Sequence, residues 1–124
     1  MKLYAIRIFT ADWEKALAFY RDTLGLTLKF NDEALGWAEF DVGGPSLGLE
    51  RATAGEGEVG DGATGGLVGR FLGISLQVDD IADVYRSLSA KGVNFLAPPE
   101  KQPWGGSLAH FEDPDRNILT LLGS

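Results

Sequence analysis

The chain has 124 residues, 18 of them acidic and 11 basic, and its formal net charge is −7. This length suits one domain with its own core, and the acidic balance argues against nucleic acid as a partner, because phosphate binding needs a concentrated basic surface. The lack of cysteine excludes disulfides, thiolate catalysis and cysteine-ligated zinc. No run is apolar enough to span a membrane and the first ten residues do not resemble a signal peptide, so we expect a cytoplasmic protein without membrane partners.

The first half of the chain predicts one strand, one helix and then three more strands. A β-prone run over residues 3–10 is followed by Asp12, whose carboxylate suits the N-cap of a helix. The helix carries an apolar stripe at helical spacing and ends at Gly25, which favours a left-handed cap. Further β-like runs are predicted over residues 26–30, 35–42 and 46–50, with turn signals between them.

The second half repeats this pattern. A β-prone run over residues 73–78 is followed by a second candidate N-cap, Asp80, and the next helix ends at Gly92. Asp12 and Asp80 are 68 positions apart, and the two glycines are 67 apart, so an internal duplication explains the order and spacing better than chance does. The remaining strands are predicted over residues 93–96, 107–111 and 118–122, with a turn over residues 113–117.

A glycine-rich segment separates the two halves. Residues 52–70 contain seven glycines and few apolar residues, so this stretch has little surface to bury and much entropy to lose on ordering. We therefore predict a single domain, 1–124, in which module one spans about 1–51, a hinge spans about 52–70 and module two spans about 71–124.

The chain resembles the vicinal oxygen chelate superfamily, which includes glyoxalase I, extradiol dioxygenases, fosfomycin-resistance enzymes and bleomycin-resistance proteins. The motifs that carry the resemblance are, in chain order, residues 12–20, Leu24-Gly25-Leu26, Val78-Asp79-Asp80, Lys91-Gly92-Val93, Pro103-Trp104-Gly105 and residues 113–117. The resemblance implies an α+β fold of tandem βαβββ modules that form a curled mixed sheet around a shared cavity. Short members often form homodimers, with modules paired within one chain or exchanged between two, so we expect a homodimer.

The resemblance also implies where related enzymes hold a divalent metal. Their ligands come from the first and last strands of each module, and the matching positions here are Ala5, Glu50, Gly73 and Thr120. Only Glu50 binds a metal strongly, whereas metal chemistry of this kind uses about three protein ligands. We therefore expect no metal and no other cofactor, unless the site is a divergent one.

Strand periodicity predicts which other side chains line the cavity. If Ala5 and Gly73 point inward, alternate residues on the same strands do so as well. The inward residues are then Arg7, Phe9, Ser75 and Gln77, together with Glu50 and Thr120 on the last strand of each module. A slip of one residue would bury Arg7 and Gln77 against the helices, which supports this register.

The roles of the remaining candidates stay open. His110 is the sole histidine, and its structural role is favoured over a catalytic one. Trp104 either stacks on a planar ligand or fills the core beneath its loop, and Phe40 is a further aromatic candidate for ligand contact. Arg7 and Glu50 either contact a ligand or form a structural ion pair with each other.

Three functions follow from this reading. The first is a metal-free protein that binds a small aromatic or cationic molecule, as bleomycin-resistance proteins do. The second is an enzyme, either a lactoylglutathione-lyase-like or other enzyme of this superfamily with a divergent site, or a metal-independent lyase that uses Glu50 and His110 as an acid–base pair. The third is an interaction module with a vestigial cavity.

Overall fold

The computed structural model describes residues 1–52 and 65–124, which divide into two compact units, Met1–Gly69 and Arg70–Ser124. Each unit holds one mixed sheet and one α-helix, which confirms the predicted α+β class with two βαβββ units. We call the units module one and module two. Most of the predicted hinge lies outside the described residues, and its described part includes a short 3₁₀ turn, Gly65–Leu67.

Module one has a four-stranded sheet in the order β1-β4-β3-β2. The first and last strands are parallel, and the other two pairs are antiparallel. A β-bulge interrupts the pairing of β2 with β3 between Leu28 and Phe30. The strands are β1 (Ala5–Thr10), β2 (Thr27–Asp32), β3 (Trp37–Asp41) and β4 (Ser46–Arg51).

The helix of module one starts at the predicted cap, and its last turn is π-helical. Asp12 caps α1 (Trp13–Ala18), since its side chain accepts a hydrogen bond from the backbone N–H of Lys15 at 3.3 Å. The helix then continues as a π-helical turn, Phe19–Thr23, which the apolar stripe did not predict. Gly25 follows with φ +72°, which confirms the left-handed cap.

Module two has a five-stranded sheet, in which four strands follow the order β5-β9-β8-β6. The first and last long strands are again parallel, as in module one. A two-residue strand, β7, pairs with β8 and was not predicted. The strands are β5 (Phe71–Gln77), β6 (Asn94–Phe95), β7 (Glu100–Lys101), β8 (Ser107–Glu112) and β9 (Ile118–Gly123).

Helix α2 (Ile81–Ala90) repeats the capping of α1. The Asp80 carboxylate accepts from the backbone N–H of Asp83 at 3.0 Å, and Gly92 has φ +90°. Both predicted caps are therefore confirmed. No helix in the described parts of the chain is long and apolar enough to cross a membrane, and the cytoplasmic location stays a prediction.

The turn between β8 and β9 is held by a buried polar network. Asp113 Oδ1 accepts from the backbone N–H groups of Asp115 and Asn117, both at 2.9 Å, and Asn117 Nδ2 donates to Asp113 Oδ2 at 2.9 Å. The Asn117 side-chain oxygen also accepts from the backbone N–H of Arg70 at 3.1 Å. These contacts confirm that the motif over residues 113–117 serves the turn.

One face of each sheet packs against the helix of the same module. In module one, Tyr20 lies against Phe40 with ring centroids 6.1 Å apart. In module two, Phe95 contacts both Tyr85 of α2 and Phe111 of β8. The buried apolar residues on these helix-facing sides include Ile8, Phe40, Leu47, Leu49, Ile74, Phe111, Leu119 and Leu121, so the predicted strand registers place apolar side chains correctly.

Candidate functional site

The sheet face opposite the helix carries polar side chains in both modules, and we call it the polar face. On module one it is formed by Arg7, Phe9, Trp37, Glu39, Gly48 and Glu50. On module two it is formed by Phe71, Ser75, Gln77, His110, Glu112 and Thr120. The candidate site therefore consists of two sets of residues, one on each module.

Arg7 and Glu50 form an ion pair on the polar face of module one. Parallel pairing of β1 with β4 sets Arg7 beside Gly48 and Phe9 beside Glu50. Arg7 Nε lies 2.8 Å from Glu50 Oε1, and Nη2 lies 3.1 Å from Oε2, a two-pronged geometry that fits a guanidinium to a carboxylate. The alternative of an Arg7–Glu50 pair is thus confirmed.

Phe9 lies beneath this ion pair. The guanidinium carbon of Arg7 lies 5.2 Å from the centroid of the Phe9 ring, within the range of a cation–π contact. The hydrogen bonds that Arg7 donates to Glu50, followed by the negative charge of Glu50, raise the pKa of Arg7 above its usual value. Arg7 is therefore a fixed and permanent positive charge.

Trp37 is a site residue that sequence reasoning missed. Its ring lies on Gly48, where a Cβ atom would meet the ring carbon Cη2 at 2.3 Å. Its Nε1 donates to Glu39 Oε2 at 2.9 Å. A glycine within a strand is a sign that another group approaches the backbone closely, and Gly48 was the available signal for this contact.

Glu39 is held by several donors on the same face. Its Oε2 also accepts from the Tyr4 hydroxyl at 2.8 Å. Hydrogen bonds from Trp37 and Tyr4 lower the pKa of Glu39, with smaller contributions from Ser46 and the Lys29 charge, while the Glu39 hydrogen bond raises the pKa of Tyr4. Glu39 is therefore an ionised acceptor at neutral pH.

The polar face of module two has a histidine and a threonine at the matching positions. His110 Nδ1 and the Thr120 hydroxyl are 2.8 Å apart, and Thr120 is buried. Phe71 and His110 make an edge-to-face contact, with ring centroids 5.8 Å apart. His110 and Thr120 therefore share one sheet face, and Phe71 is an additional aromatic residue there.

Strand β5 contains an irregularity at Gly73. The pairing of β5 with β9 shifts between Phe71–Ile118 and Ser75–Thr120, and Gly73 lies in the shift with φ +68°. A left-handed residue of this kind is typical of a β-bulge, which redirects neighbouring side chains. Ser75 and Gln77 follow the bulge and are exposed.

The structure decides between the expectations for Phe40 and Trp104. Phe40 lies on the other face of its sheet, and Trp104 lies in an exposed position. Phe40 is 1% exposed and pairs with Leu47 on the helix-facing side of the sheet, so the placement of Phe40 at the cavity was wrong. Phe40 takes this side because β3 alternates its faces and Trp37 and Glu39 occupy the polar face. Trp104 is 62% exposed and lies against Gly106, which contradicts the alternative that it fills the core.

The four positions that hold a metal in related enzymes do not carry a matching donor set. Ala5 and Gly73 offer no side-chain donor, and the Thr120 hydroxyl pairs with His110. Both oxygens of Glu50 accept from Arg7, whose charge would repel a cation. Within the described ranges, no three His, Cys, Asp or Glu side chains come close enough to hold a metal ion. These residues do not fit a divalent cation.

Comparison with known proteins agrees with this fold. A sequence model of the Glyoxalase/Bleomycin resistance protein/Dioxygenase superfamily matches residues 2–121. The chain is 34% identical to the uncharacterized protein YraH of Bacillus subtilis (strain 168), over 98% of this chain and 97% of that one. It is 30% identical to a bleomycin resistance protein of Klebsiella pneumoniae, over 90% of this chain and 83% of that protein.

A solved structure is similar over the whole chain. A member of the Glyoxalase/bleomycin resistance protein/dioxygenase superfamily from Sphaerobacter thermophilus DSM 20745 superposes with a TM-score of 0.81 and 31% identity, covering 100% of this chain and 98% of that one. The two-module topology, the sequence match and this superposition agree. The chain belongs to the Glyoxalase/Bleomycin resistance protein/Dioxygenase superfamily.

Proposed function

We propose that this protein binds a small, partly aromatic molecule and does so without a metal ion. The observation that carries the proposal is the Arg7–Glu50 ion pair. Glu50 stands at the one metal-ligand position that keeps a strong donor, and its carboxylate is taken by two guanidinium nitrogens at 2.8 and 3.1 Å. A site organised around an internal cation is suited to recognising ligand groups directly rather than through a metal.

Aromatic side chains on or beside the polar faces support an aromatic ligand. Phe71 is 60% exposed and Trp104 is 62% exposed, and Trp37 is partly exposed. Large exposed aromatic rings recur in sites that bind planar molecules, because stacking adds to the gain from burying apolar surface. Ser75 and Gln77 add exposed polar groups to module two.

The relatives support binding as the general activity. The Klebsiella pneumoniae relative is a bleomycin resistance protein by name, and protection against a compound is compatible with holding it in a complex. Bleomycin is therefore the first compound to test. We also propose that the chain works as a homodimer, as the family resemblance implies.

A ligand screen by thermal shift tests the binding proposal. A compound that binds only the folded state stabilises it by about 2.7 kcal/mol at roughly 100 times its Kd. We expect stabilisation by bleomycin or by other planar aromatic compounds, and the protein should keep this response after dialysis against a chelator. A screen in which no compound raises the unfolding temperature would contradict the proposal.

Metal content and assembly are measured separately. Elemental analysis of protein purified without added metal should find no stoichiometric zinc, nickel, manganese or iron, and finding one would overturn the metal-free part. Analytical ultracentrifugation should give twice the chain mass of 13.3 kDa. A single species at the chain mass at micromolar concentration would contradict the homodimer.

Substitution of Glu50 and His110 tests the enzymatic alternative. Each group is engaged within its own module, by Arg7 and by Thr120 respectively. If any turnover is found, a loss of that turnover in both Glu50→Gln and His110→Ala would favour a lyase over a binding protein.

A further inference from the structure

We propose that the polar face of module one selects planar aromatic acids, with the ligand ring on Trp37 and its acid group on Arg7. This inference rests on the proposed binding function and names the ligand class. It joins two observations on one sheet face, namely an aromatic ring fixed in place and a positive charge fixed beside it.

The indole of Trp37 is held in one orientation. Its ring lies flat enough on Gly48 that a Cβ atom there would come within 3.0 Å of three of its carbons. The hydrogen bond from Nε1 to Glu39 sets the rotation of the ring about its own axis. A ring that is already ordered loses little entropy when a ligand stacks on it.

Arg7 is the neighbour of this ring. The strand register places Arg7 directly beside Gly48 on β1 and Glu39 directly beside Gly48 on β3. Neighbouring strands are about 4.8 Å apart, so the indole over Gly48 lies between the strand positions of Arg7 and Glu39. A flat molecule stacked on Trp37 therefore has its edge close to the guanidinium.

The accessible charge at this edge is positive. The Arg7 side chain is 53% exposed, whereas that of Glu50 is 22% exposed. Arg7 uses Nε and Nη2 for Glu50, and no acceptor among the described residues of module one pairs with Nη1. These N–H groups suit a second carboxylate.

The acidic groups nearest to Trp37 and Arg7 accept hydrogen bonds from protein donors. Asp32, the neighbour of Trp37 on β2, accepts from the backbone N–H of Leu35 at 3.1 Å. Glu50 accepts from Arg7, and Glu39 accepts from Tyr4 and Trp37. Lys29 adds another positive charge, with its Nζ 2.9 Å from the Ser46 hydroxyl. A ligand cation would meet carboxylates that already accept from protein donors, while a ligand anion finds outward N–H donors.

Isothermal titration with three probes of the same shape tests this selectivity. The probes are naphthalene-2-carboxylate, its neutral amide naphthalene-2-carboxamide, and the cation naphthalen-2-ylmethylammonium. We expect the carboxylate to bind about tenfold more tightly than the amide, because a charge-assisted hydrogen bond is roughly twice as strong as a neutral one. The ammonium should bind most weakly of the three.

Substitutions separate the two parts of the site. Trp37→Leu should weaken all three probes by about tenfold, as expected for loss of an aromatic contact. Arg7→Met should remove the preference for the carboxylate and leave the amide unchanged. Because Arg7→Met leaves Glu50 without its partner, the double variant Arg7→Met/Glu50→Gln repeats the measurement without an unpaired charge.

A second arginine pair provides the matched control. Arg21 bonds to Asp22 with the same two-pronged geometry, at 2.9 and 3.0 Å, on the surface of the helical segment. Arg21→Met should leave the order and affinity of the probes unchanged. If Arg21→Met removes the preference as fully as Arg7→Met does, the selectivity comes from overall charge and the inference is wrong.

The outcomes distinguish this inference from the proposed function. Tightest binding of the ammonium, or equal binding of all three probes to the unaltered protein, would overturn the inference. Failure of every naphthyl probe, while another compound stabilises the protein in the thermal-shift screen, would also overturn it and leave the proposed function intact. Failure of all compounds in both experiments would remove both.

Discussion

Module one and module two share a scaffold and differ in the chemistry of their polar faces. Each pairs its first and last strands in parallel, and each has an aspartate N-cap and a left-handed glycine after its helix. The cross-strand pair on the polar face is Trp37 with Glu50 in module one and His110 with Thr120 in module two. The carboxylate of Glu50, which pairs with Arg7, thus corresponds to the hydroxyl of Thr120, which pairs with His110.

This difference separates the requirements of folding from those of binding. Caps and helix-facing side chains are fixed by local backbone needs and by burial, so both modules keep them. The polar faces contribute less to the core and can change without loss of the fold. The divergence between the modules therefore lies where a ligand would be recognised. Four experiments test how the two modules differ, in stability as well as in ligand recognition.

The largest expected effect comes from the turn network of module two. Asn117→Ala removes the side chain that bonds to Asp113 and to the backbone of Arg70, and it leaves buried polar groups without these partners. We expect the free energy of unfolding to fall by about 3 kcal/mol, measured by urea denaturation.

The corresponding turn of module one supplies the matched control. Asp41 accepts a hydrogen bond from Gly43 N at 3.0 Å in an exposed turn between β3 and β4. Asp41→Ala should therefore cost less than about 1 kcal/mol. Equal costs for the two substitutions would contradict a buried network specific to module two.

The next effect concerns the two tryptophans that lie on glycines. Gly48→Ala places a Cβ against Trp37, which is tied to Glu39, so the ring must move or strain its hydrogen bond. We expect a loss of about 1–3 kcal/mol and weaker binding of aromatic probes. Thermal denaturation and titration measure the two consequences.

Gly106→Ala makes the same change under Trp104 in module two. A Cβ there would meet the ring carbon Cζ3 at 2.2 Å, but Trp104 is 62% exposed and can swing into solvent. The cost should stay below about 1 kcal/mol. A larger loss for Gly106→Ala than for Gly48→Ala would show that the tryptophan of module one is not the anchored one.

A smaller effect on stability is expected at Arg116. Within the described ranges, it is the one residue other than glycine that has a left-handed backbone. Arg116 has φ +66°, a backbone conformation that favours glycine. Arg116→Gly should raise the free energy of unfolding by about 0.5–1 kcal/mol, because the strain removed exceeds the entropy added to the unfolded chain. Arg116→Lys keeps both the strain and the charge and should change stability by less than about 0.5 kcal/mol.

The smallest effect is a pH dependence from Glu39. Its pKa is lowered in the folded protein by Trp37 and Tyr4, so its contribution to stability is present above the unfolded-state pKa of about 4.3 and is lost as the pH falls through the lower folded value. The stability difference between the protein and Glu39→Gln should be constant between about pH 5 and pH 8 and shrink toward pH 3. A difference that does not change over this range would contradict the prediction.

Much of the fold followed from the sequence because its signals are local. The aspartate caps, the glycines after the helices and the turn over residues 113–117 act within a few residues of themselves. Alternation also predicted correctly that Arg7 and Glu50 share one sheet face with Phe9. These inferences needed only a period of two and one fixed point on each strand.

The rest depended on contacts between distant strands. Phe40 was assigned to the cavity and Trp37 was missed because the face that each takes is set by the register of β3 against β4. Trp37 packs on Gly48, which is eleven positions away in sequence. The π-helical turn Phe19–Thr23 changes the hydrogen-bond pattern without altering the apolar stripe, so periodicity could not reveal it.

The bulge at Gly73 affects how readily a metal-binding side chain could be introduced at this position. An ordinary side chain at φ +68° would be strained by about 1–2 kcal/mol, and it would leave the strand in a different direction from a pleated residue. A histidine introduced there would therefore be strained, and its side chain would not point in the direction that a regular strand gives. A metal-ligating side chain at this position requires the backbone of β5 to lose its bulge first. Evolution toward a metal site would therefore need coordinated changes rather than one substitution.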